Sequence, residues 1–257
     1  MSGRVVLVGA GPGAPDLITV RGQRALEEAD VVLYDALVDL RILANVRAEC
    51  TFVGKRSGRH ALPQDEICAL LVRLAKAGKT VVRLKGGDPL VLGRGGEEAA
   101  VCAREGVPFE IVPGVTSAIA VPAAAGIPVT HRGIADSFVV VSAHCSQDGA
   151  ALSIPPYSPA TTVVLLMGVA TLPIWHRQLV ALGYPADCPI AFVMEGTTDS
   201  QRLVVTRVGD VLERAPSAGV RSPAVIVIGD VVGIRGQLCP DGGGGGVGAG
   251  GPAGKER

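Results

Sequence analysis

Short apolar runs alternate with longer amphipathic segments along the first half of the chain. Buried strands are predicted where β-branched and aliphatic residues run together, at 4–8, 30–34, 51–53, 80–84 and 109–112. Helices are predicted where apolar residues recur every three or four positions, at 17–29, 63–77 and 96–105. Strands that alternate with helices in this way favour a mostly parallel sheet.

The second half of the chain repeats the alternation after an interruption at Pro113 and Gly114. A helix rich in small residues is predicted at 116–125, with further helices at 172–181 and 208–215 and strands at 137–142, 161–167, 190–194 and 224–228. The Gly-rich end of the chain has too little apolar surface to order itself. We therefore predict two α/β domains, at 1–113 and 114–238, and a disordered tail at 239–257.

The composition and charge narrow the class of protein. Hydrophobic residues make up 48% of the 257 residues and charged residues 19%, which is typical of a globular protein. The charges balance at 24 basic and 24 acidic residues, and aromatic residues make up only 3%, so neither a nucleic-acid surface nor a base-stacking platform is indicated. The longest apolar run, 161–174, is too short to span a membrane, and no apolar leader opens the chain. We expect a cytoplasmic protein with no membrane or nucleic-acid partner.

The cysteines and histidines do not indicate a metal site. The six cysteines are scattered without a C-x-x-C pair, which is typical of buried thiols in a cytosolic protein. His131 and His144 have no partner at the spacing of metal ligands. No bound metal is therefore expected.

A glycine-rich turn follows the first predicted strand, and two interpretations of it stay open. Gly9, Gly11 and Ala14 fit the G-x-G-x-x-A pattern of dinucleotide-binding proteins, and Asp35 ends the next strand, where a ribose-binding acid would lie. Pro12 weakens this match, because a proline has no N–H group to offer a pyrophosphate. A plain turn between a strand and a helix is about equally compatible with the segment.

A second glycine-rich loop lies within the segment 82–98, V-R-L-K-G-G-D-P-L-V-L-G-R-G-G-E-E. Gly86 and Gly87 directly follow a predicted strand, and open α/β sheets bind ligands at the carboxyl ends of their strands. Asp88 can accept hydrogen bonds from ribose hydroxyls or from a ligand ammonium group. A long loop with turn glycines is the alternative, and the number of glycines and charges favours a binding loop.

Charged side chains are also predicted near the strand ends. Asp35 and Lys55 each follow a strand, so both can face one cleft at the carboxyl edge of the sheet. Arginines near predicted loops suit a ligand with several carboxylates, because each guanidinium can bind a carboxylate with two hydrogen bonds. These arginines stand at positions 56, 59, 83, 94 and 132. Thr116 or Ser117 can cap the helix that follows Gly114, whose N–H groups can also bind a ligand carboxylate.

The order of these motifs resembles that of the tetrapyrrole methyltransferase superfamily and, within it, of the uroporphyrinogen-III C-methyltransferases. Any one motif would be modest evidence, but the ordered set is specific. The motifs cover about residues 5–232 and are G-A-G-P-G, L-Y-D-x-L-V, G-K-R-x-G-x-H, Q-x-E-I, V-R-L-K-G-G-D-P with G-R-G-G-E-E, V-P-G-V-T-S-A, A-G-I-P-V-T-H-R and S-P-A-V-I-V-I-G-D-V-V.

The resemblance implies a two-domain α/β tetrapyrrole methylase fold with the active-site cleft between the domains, in a homodimer that needs no metal. It implies transfer of methyl groups from S-adenosylmethionine to carbons 2 and 7 of uroporphyrinogen III, giving precorrin-2 for sirohaem or cobalamin biosynthesis. Asp35 matches the proposed proton acceptor and Lys55 the proposed proton donor, while Arg83 and Arg94 are expected at the acidic macrocycle. The implied cofactor contacts are Pro12, Gly86, Gly87, Asp88, Val91, Thr116, Ser117, Met167, Gly196 and Ala224.

Other functions remain compatible with the sequence. The nearest is another precorrin methyltransferase of the same fold, and a more distant one is a methyltransferase of this fold that acts on protein or RNA. An NAD-dependent oxidoreductase rests only on Gly9, Gly11, Ala14 and Asp35. A non-catalytic binding or sensor protein is also conceivable, although Asp35 and Lys55 both favour an enzyme.

Overall fold

A computed structural model describes residues 3–54, 62–144 and 151–239 of the chain. The chain forms two compact units, one made of Met1–Val121 with Gly196–Thr198 and the other of Pro122–Glu195 with Asp199–Arg257. The boundary predicted after Pro113 stays a prediction. Residues 240–257 of the predicted tail lie outside the described residues.

The first unit is built on a five-stranded sheet in which every pair of neighbouring strands is parallel, in the order β3-β2-β4-β1-β5. Its strands are β1 (Arg4–Gly9), β2 (Val31–Tyr34), β3 (Glu49–Phe52), β4 (Thr80–Lys85) and β5 (Phe109–Val112). Its helices are α1 (Val20–Glu27), α2 (Gln64–Lys76) and α3 (Gly95–Arg104), and α4 (Ser117–Ala124) crosses the point where the units divide. The parallel sheet predicted from the alternation is present here.

The two faces of this sheet are covered by different helices. Val5 and Leu7 of β1 pack with the buried residues of α2 and α3, whereas Val6 and Val8 pack on the opposite face with Leu26 of α1. Val81 of β4 belongs to the face that α2 and α3 cover. Because side chains alternate along a strand, the charged positions 83 and 85 of β4 lie on that same covered face.

The second unit contains a mixed sheet in the order β6-β7-β10-β8-β9. Its strands are β6 (Ser137–Ser142), β7 (Thr161–Leu166), β8 (Pro189–Met194), β9 (Arg202–Arg207) and β10 (Ala224–Ile228), and its helices are α5 (Leu172–Ala181), α6 (Val211–Ser217) and α7 (Arg235–Leu238). Only β6 and β7 pair in parallel, and the other neighbouring pairs are antiparallel. Trp175 of α5 and Phe192 of β8 lie fully buried in its core.

Among the helices of the described residues, none has the length and apolar character needed to cross a membrane.

Candidate active site

The end of β1 and the loops after β4 and β5 meet at the carboxyl edge of the parallel sheet, at Gly9, Gly87 and Gly114. Gly11 and Gly87 exchange backbone hydrogen bonds, with N···O distances of 3.2 Å from Gly11 and 2.7 Å from Gly87. A Cβ atom on Gly9 would lie 2.5 Å from the Cα atom of Gly114 and 2.6 Å from the carbonyl oxygen of Gly87. Such close approach of three backbones requires glycine.

The Asp88 side chain fastens these loops together. Its Oδ2 accepts a hydrogen bond from the backbone N–H of Gly114 at 3.0 Å, and its Oδ1 accepts one from Leu90 at 2.8 Å. The carboxylate therefore joins the loop after β4 to the loop after β5. Its predicted contact with the cofactor stays a prediction.

The start of α4 lies beside Gly87. The Oγ1 of Thr116 accepts a hydrogen bond from the backbone N–H of Ala118 at 3.3 Å, as the predicted cap requires. A Cβ atom on Gly87, whose φ is +69°, would have the Ser117 nitrogen 3.7 Å away as its nearest neighbour. A side chain here would contact the start of the helix, so the glycine leaves that place free beside its N–H groups, which suits an anionic ligand group.

The geometry argues against a dinucleotide site at the first glycine turn. In that fold the glycine turn opens directly into a helix, whose N-terminus binds the pyrophosphate. Here a 3₁₀ turn, Pro15–Leu17, intervenes, and α1 begins only after Thr19. The N–H of Gly11 is already bonded to Gly87, so it is not available to a phosphate.

Four charged side chains form a buried group on the face of the sheet covered by α2 and α3. Asp35 continues β2, Arg83 and Lys85 belong to β4, and Glu98 belongs to α3. The Nη2 of Arg83 lies 2.6 Å from Asp35 Oδ1, and its Nε lies 3.1 Å from Glu98 Oε1. The Nζ of Lys85 lies 3.1 Å from Glu98 Oε1 and 3.7 Å from Asp35 Oδ2. We call these four residues the charged quartet.

The charged quartet is open only at Asp35. The side chain of Asp35 is 28% exposed, whereas those of Arg83, Lys85 and Glu98 are 2%, 4% and 0% exposed. Burial is the main cause that lowers the pKa of Lys85, and the neighbouring Arg83 adds to it, while Glu98 and Asp35 act in the opposite direction. Asp35 is therefore the one partly exposed carboxylate of the quartet, and the other three side chains are buried.

Arg94 lies apart from the quartet, at the start of α3. Its Nη2 forms an ion pair with Glu97 Oε2 at 2.7 Å, and both side chains are more than half exposed. The hydrogen bond between them raises the pKa of Arg94 and lowers that of Glu97. Arg94 has a left-handed backbone, with φ at 59°, which sets it at the turn that opens the helix.

The remaining predicted residues are distributed over both units. Met167 follows β7 with φ at 60° and is 51% exposed, and Ala224 begins β10 at the same edge of the second sheet. Gly196 belongs to the first unit, where the Oγ1 of the next residue, Thr197, accepts a hydrogen bond from Ala14 N–H at 3.0 Å.

Pro12 and Val91 lie in loops of the first unit, and Val91 is 37% exposed. Lys55 lies outside the described residues. The roles predicted for all these residues stay predictions.

Lys85, Glu98 and Gln64 were missed from the sequence. Gln64 begins α2, and its Nε2 donates to Glu98 Oε1 at 3.0 Å. A signal was present in β4, where a basic residue stands at two alternate positions of an otherwise apolar strand. Two cations on one buried face need facing carboxylates, so this pattern by itself calls for acidic partners.

No group of three His, Cys, Asp or Glu residues within 3–54, 62–144 and 151–239 is placed to hold a metal ion.

Comparison with known proteins gives a consistent result. The model of the tetrapyrrole (corrin/porphyrin) methylases matches residues 4–212. A uroporphyrinogen-III C-methyltransferase from Methanocaldococcus jannaschii is 48% identical over 238 residues, which cover 91% of this chain and 98% of that protein. A siroheme synthase from Methylobacillus flagellatus is 46% identical over 240 residues, which cover 92% of this chain and 51% of that protein. This chain therefore spans about half the length of that synthase.

A solved structure with the same fold is the uroporphyrin-III C-methyl transferase from Thermus thermophilus, complexed with S-adenyl homocysteine. It matches this chain with a TM-score of 0.79 and 45% sequence identity, over 90% of this chain and all of that one.

Proposed function

The chain belongs to the tetrapyrrole (corrin/porphyrin) methylase family, and we propose that it uses S-adenosylmethionine to methylate uroporphyrinogen III at carbons 2 and 7, giving precorrin-2. The observation that carries the proposal is the 48% identity to a uroporphyrinogen-III C-methyltransferase across 98% of that enzyme. We propose only the methyl transfer for this chain, since it spans about half of a siroheme synthase. Precorrin-2 would serve sirohaem or cobalamin biosynthesis.

The residues of the first unit fit a bound S-adenosylmethionine. Because Gly87 has no side chain, a ligand group can take the place in contact with the start of α4, where Thr116 and Ser117 lie. We propose that the cofactor contacts these residues and the others predicted for it, namely Pro12, Gly86, Asp88, Val91, Met167, Gly196 and Ala224. When bound, S-adenosylmethionine supplies a sulfonium methyl group that a nucleophilic pyrrole carbon can attack.

Asp35 is the proposed proton acceptor. A carbon–carbon bond forms as the carbon–sulfur bond breaks, and the pyrrole ring then has to release a proton. The carboxylate of Asp35 is partly exposed and is held by Arg83, so it can receive that proton at a fixed position. Lys55, the proposed proton donor, lies outside the described residues.

The arginines differ in how they can meet the macrocycle. Uroporphyrinogen III carries eight carboxylates, and the exposed guanidinium of Arg94 is suited to bind one of them by exchanging its partner Glu97. Arg83 is buried and is bound by two carboxylates of the protein. Its direct contact with the substrate stays a prediction, whereas its contact with Asp35 supports the proposed base.

The test is to incubate the pure protein with uroporphyrinogen III and S-adenosylmethionine. We expect a product that is heavier by two methyl groups and forms a red-fluorescent compound after oxidation. No methyl transfer to this macrocycle would contradict the substrate assignment, and transfer to a later precorrin instead would identify a sister activity of the same fold. Membership of the methylase family already excludes the NAD-dependent oxidoreductase considered from the sequence.

Asp35→Asn tests the role of Asp35, because the amide keeps the size of the side chain and removes the base. We expect kcat to fall by about a hundredfold or more, in the range usual for a general base. Calorimetric affinity for S-adenosylhomocysteine should stay within about twofold. Asp136→Asn, an exposed position of the second unit, is the matched control. Equal losses of turnover and affinity would make Asp35 a binding residue.

We also propose that the enzyme is a cytoplasmic homodimer, as the family resemblance implies. Sedimentation equilibrium of the purified chain should give twice the mass of one chain, and a monomer at assay concentration would contradict this.

A further inference from the structure

Glu98 is a fully buried carboxylate at the closed end of the charged quartet. Its Oε1 accepts three hydrogen bonds, from Arg83 Nε and Lys85 Nζ at 3.1 Å each and from Gln64 Nε2 at 3.0 Å. An ionised carboxylate loses its hydration on burial, and only close cations and hydrogen bonds can offset that cost. Two cations of β4, Arg83 and Lys85, face the buried carboxylate of Glu98 and supply these contacts.

The same two cations also face Asp35. The Arg83 guanidinium places Nε at Glu98 and Nη2 at Asp35, and Lys85 Nζ lies between the two carboxylates. The planar guanidinium has donors in a fixed fork, so the position of one carboxylate fixes the direction offered to the other. The orientation of Asp35 thus depends on a residue that it does not touch.

We infer that Glu98 is a positioning residue, which holds Arg83 and Lys85 so that they orient the carboxylate of Asp35 toward the open side of the quartet. This inference rests on the proposed function, in which Asp35 accepts a proton. The alternative is that Glu98 only stabilises the fold. The two differ in what happens to turnover by correctly folded enzyme.

Glu98→Gln is close to an isosteric test. All three hydrogen bonds to Glu98 end at Oε1, and Oε2 is buried with no hydrogen-bond partner among the described residues. A glutamine can keep its carbonyl oxygen at the Oε1 position and place its amide at the Oε2 position. The substitution then removes one negative charge and leaves Asp35 as the only carboxylate for two cations, which draws Lys85 and the Asp35 carboxylate together.

The experiment compares kcat, KM and S-adenosylhomocysteine affinity in the full-length wild type, Glu98→Gln, Glu98→Asp and Glu105→Gln. For Glu98→Gln we expect kcat to fall by about tenfold or more, as part of the general-base effect, with KM and affinity within about twofold. Glu98→Asp keeps the charge and should recover part of kcat. Glu105 lies just after α3, and its Oε2 forms an exposed ion pair with Lys76 Nζ at 2.8 Å. Glu105→Gln removes this ion pair and should behave like wild type.

A second measurement, hydrogen exchange of the Arg83 side chain, tests the charged quartet without an activity assay. The Nε–H group of Arg83 is buried and donates to Glu98, so its proton should exchange slowly with water in the wild type, as followed through its ¹⁵N NMR signal. Exchange should be faster in Glu98→Gln, because a neutral amide oxygen is a weaker acceptor than a carboxylate. Wild-type kcat in a Glu98→Gln protein would overturn the positioning role. A kcat that falls only in proportion to the folded fraction would also overturn it.

Two further outcomes are distinguished: a Glu98→Gln variant that does not fold, and a wild type that does not methylate uroporphyrinogen III. If Glu98→Gln does not fold, Glu98→Gln with Lys85→Met restores the charge balance at one cation and one carboxylate, and full kcat in that variant would overturn the inference. A wild type that does not methylate uroporphyrinogen III would overturn the proposed function. In that case, an unchanged Arg83 signal in Glu98→Gln would overturn the inference, and a lost signal would support it.

Discussion

A methyl group at Gly114 would overlap the carbonyl oxygen of Gly87 and lie 2.6 Å from the Cα atom of Gly9. Gly114→Ala should therefore push the loops after β4 and β5 apart, which costs about 1–3 kcal/mol of the free energy of unfolding. We expect a lower melting temperature and at least tenfold weaker binding of S-adenosylhomocysteine. Gly96→Ala is the control, because its Cβ atom would meet nothing within 4 Å. Unchanged binding in Gly114→Ala would show that the meeting of these loops does not shape the ligand site.

Cys188 and Tyr184 connect the stability of the second unit to alkaline pH. Burial raises the pKa of the Cys188 thiol from 9.0 to about 12 and that of Tyr184 from 10.0 to about 12, with smaller contributions from nearby charges. Both groups are neutral when protonated, so the folded state retains their protons more strongly than the unfolded chain. Their contribution to stability is complete below about pH 9 and is lost as the pH rises towards about 12.

Cys188→Ala should flatten this alkaline loss of stability. The urea midpoint of the wild type should fall more between about pH 8 and about pH 10.5 than that of the variant, since the variant lacks one titrating group. The chain has a single tryptophan, Trp175, which is fully buried in the second unit, so its fluorescence reports the transition. The same pH dependence in both proteins would mean that Cys188 does not carry the effect.

At the residue scale, the sequence singled out residues at the strand ends but not Glu98 of α3 and Gln64 of α2. Asp35 and the glycines were singled out because they follow recognisable strands. Arg83 was named among the arginines near predicted loops and through the family resemblance, whereas the structure places it within β4, where it is buried. Glu98 and Gln64 lie 15 and 19 residues from Arg83 in the chain, and nothing local to them shows that they meet it. Their contact follows from the packing of α2 and α3 on one face of the sheet.

At the scale of elements, the apolar pattern predicted nine of the ten strands that the structure describes. β5, β6, β10 and α5 have the predicted bounds, and most others differ by one or two residues. β9 was missed because its ends are arginines and much of it is exposed, so it carries little apolar signal.

The order of the second sheet could not be read from the pattern. β7 and β8 are joined through α5 and run in the same direction, as expected for such a connection. However, β10 pairs between them and runs antiparallel to both. Which strands β10 pairs with depends on contacts between residues far apart in the chain, and these are not encoded in the spacing of apolar residues.

Thr19 shows how one side chain fixes where α1 begins. Its Oγ1 accepts a hydrogen bond from the backbone N–H of Gly22 at 3.1 Å and donates to the carbonyl oxygen of Pro113 at 3.4 Å. Thr19→Ala should lower the free energy of unfolding by about 1 kcal/mol, as is usual for a lost N-cap. Thr19→Ser keeps the hydroxyl and should cost less than half as much in a urea titration. Equal losses would assign the effect to the methyl group instead of the cap.

At the scale of the whole molecule, two units were expected from the sequence, and two are present. The interruption at Pro113 and Gly114 was the boundary signal in the sequence, and the boundary placed there stays a prediction. The two compact units divide within α4, after Val121. The inclusion of Gly196–Thr198 in the first unit has no signature in the sequence. It arises because these residues, which follow β8, pack beside Gly13 and Ala14.

Thr197 tests that connection in the intact chain. Thr197→Val keeps the shape of the side chain and removes the oxygen that accepts the Ala14 N–H, so this amide should lose protection in hydrogen exchange. Thr197→Ser keeps the acceptor and should leave the protection within about twofold. If the valine variant keeps its protection, the Ala14 amide is shielded by something other than Thr197.

The return of Gly196–Thr198 to the first unit also limits how this protein can be taken apart or recombined. A gene cut once, after codon 121, yields one fragment that lacks part of its own unit and another that carries a piece belonging elsewhere. The two units therefore cannot be exchanged separately. A crossover between homologous genes after codon 121 would join the first unit of one protein to the residues 196–198 of another. What can be inherited or fused as a module is the whole length of both units together. The match to a siroheme synthase spans both units, since it covers 92% of this chain and 51% of that protein.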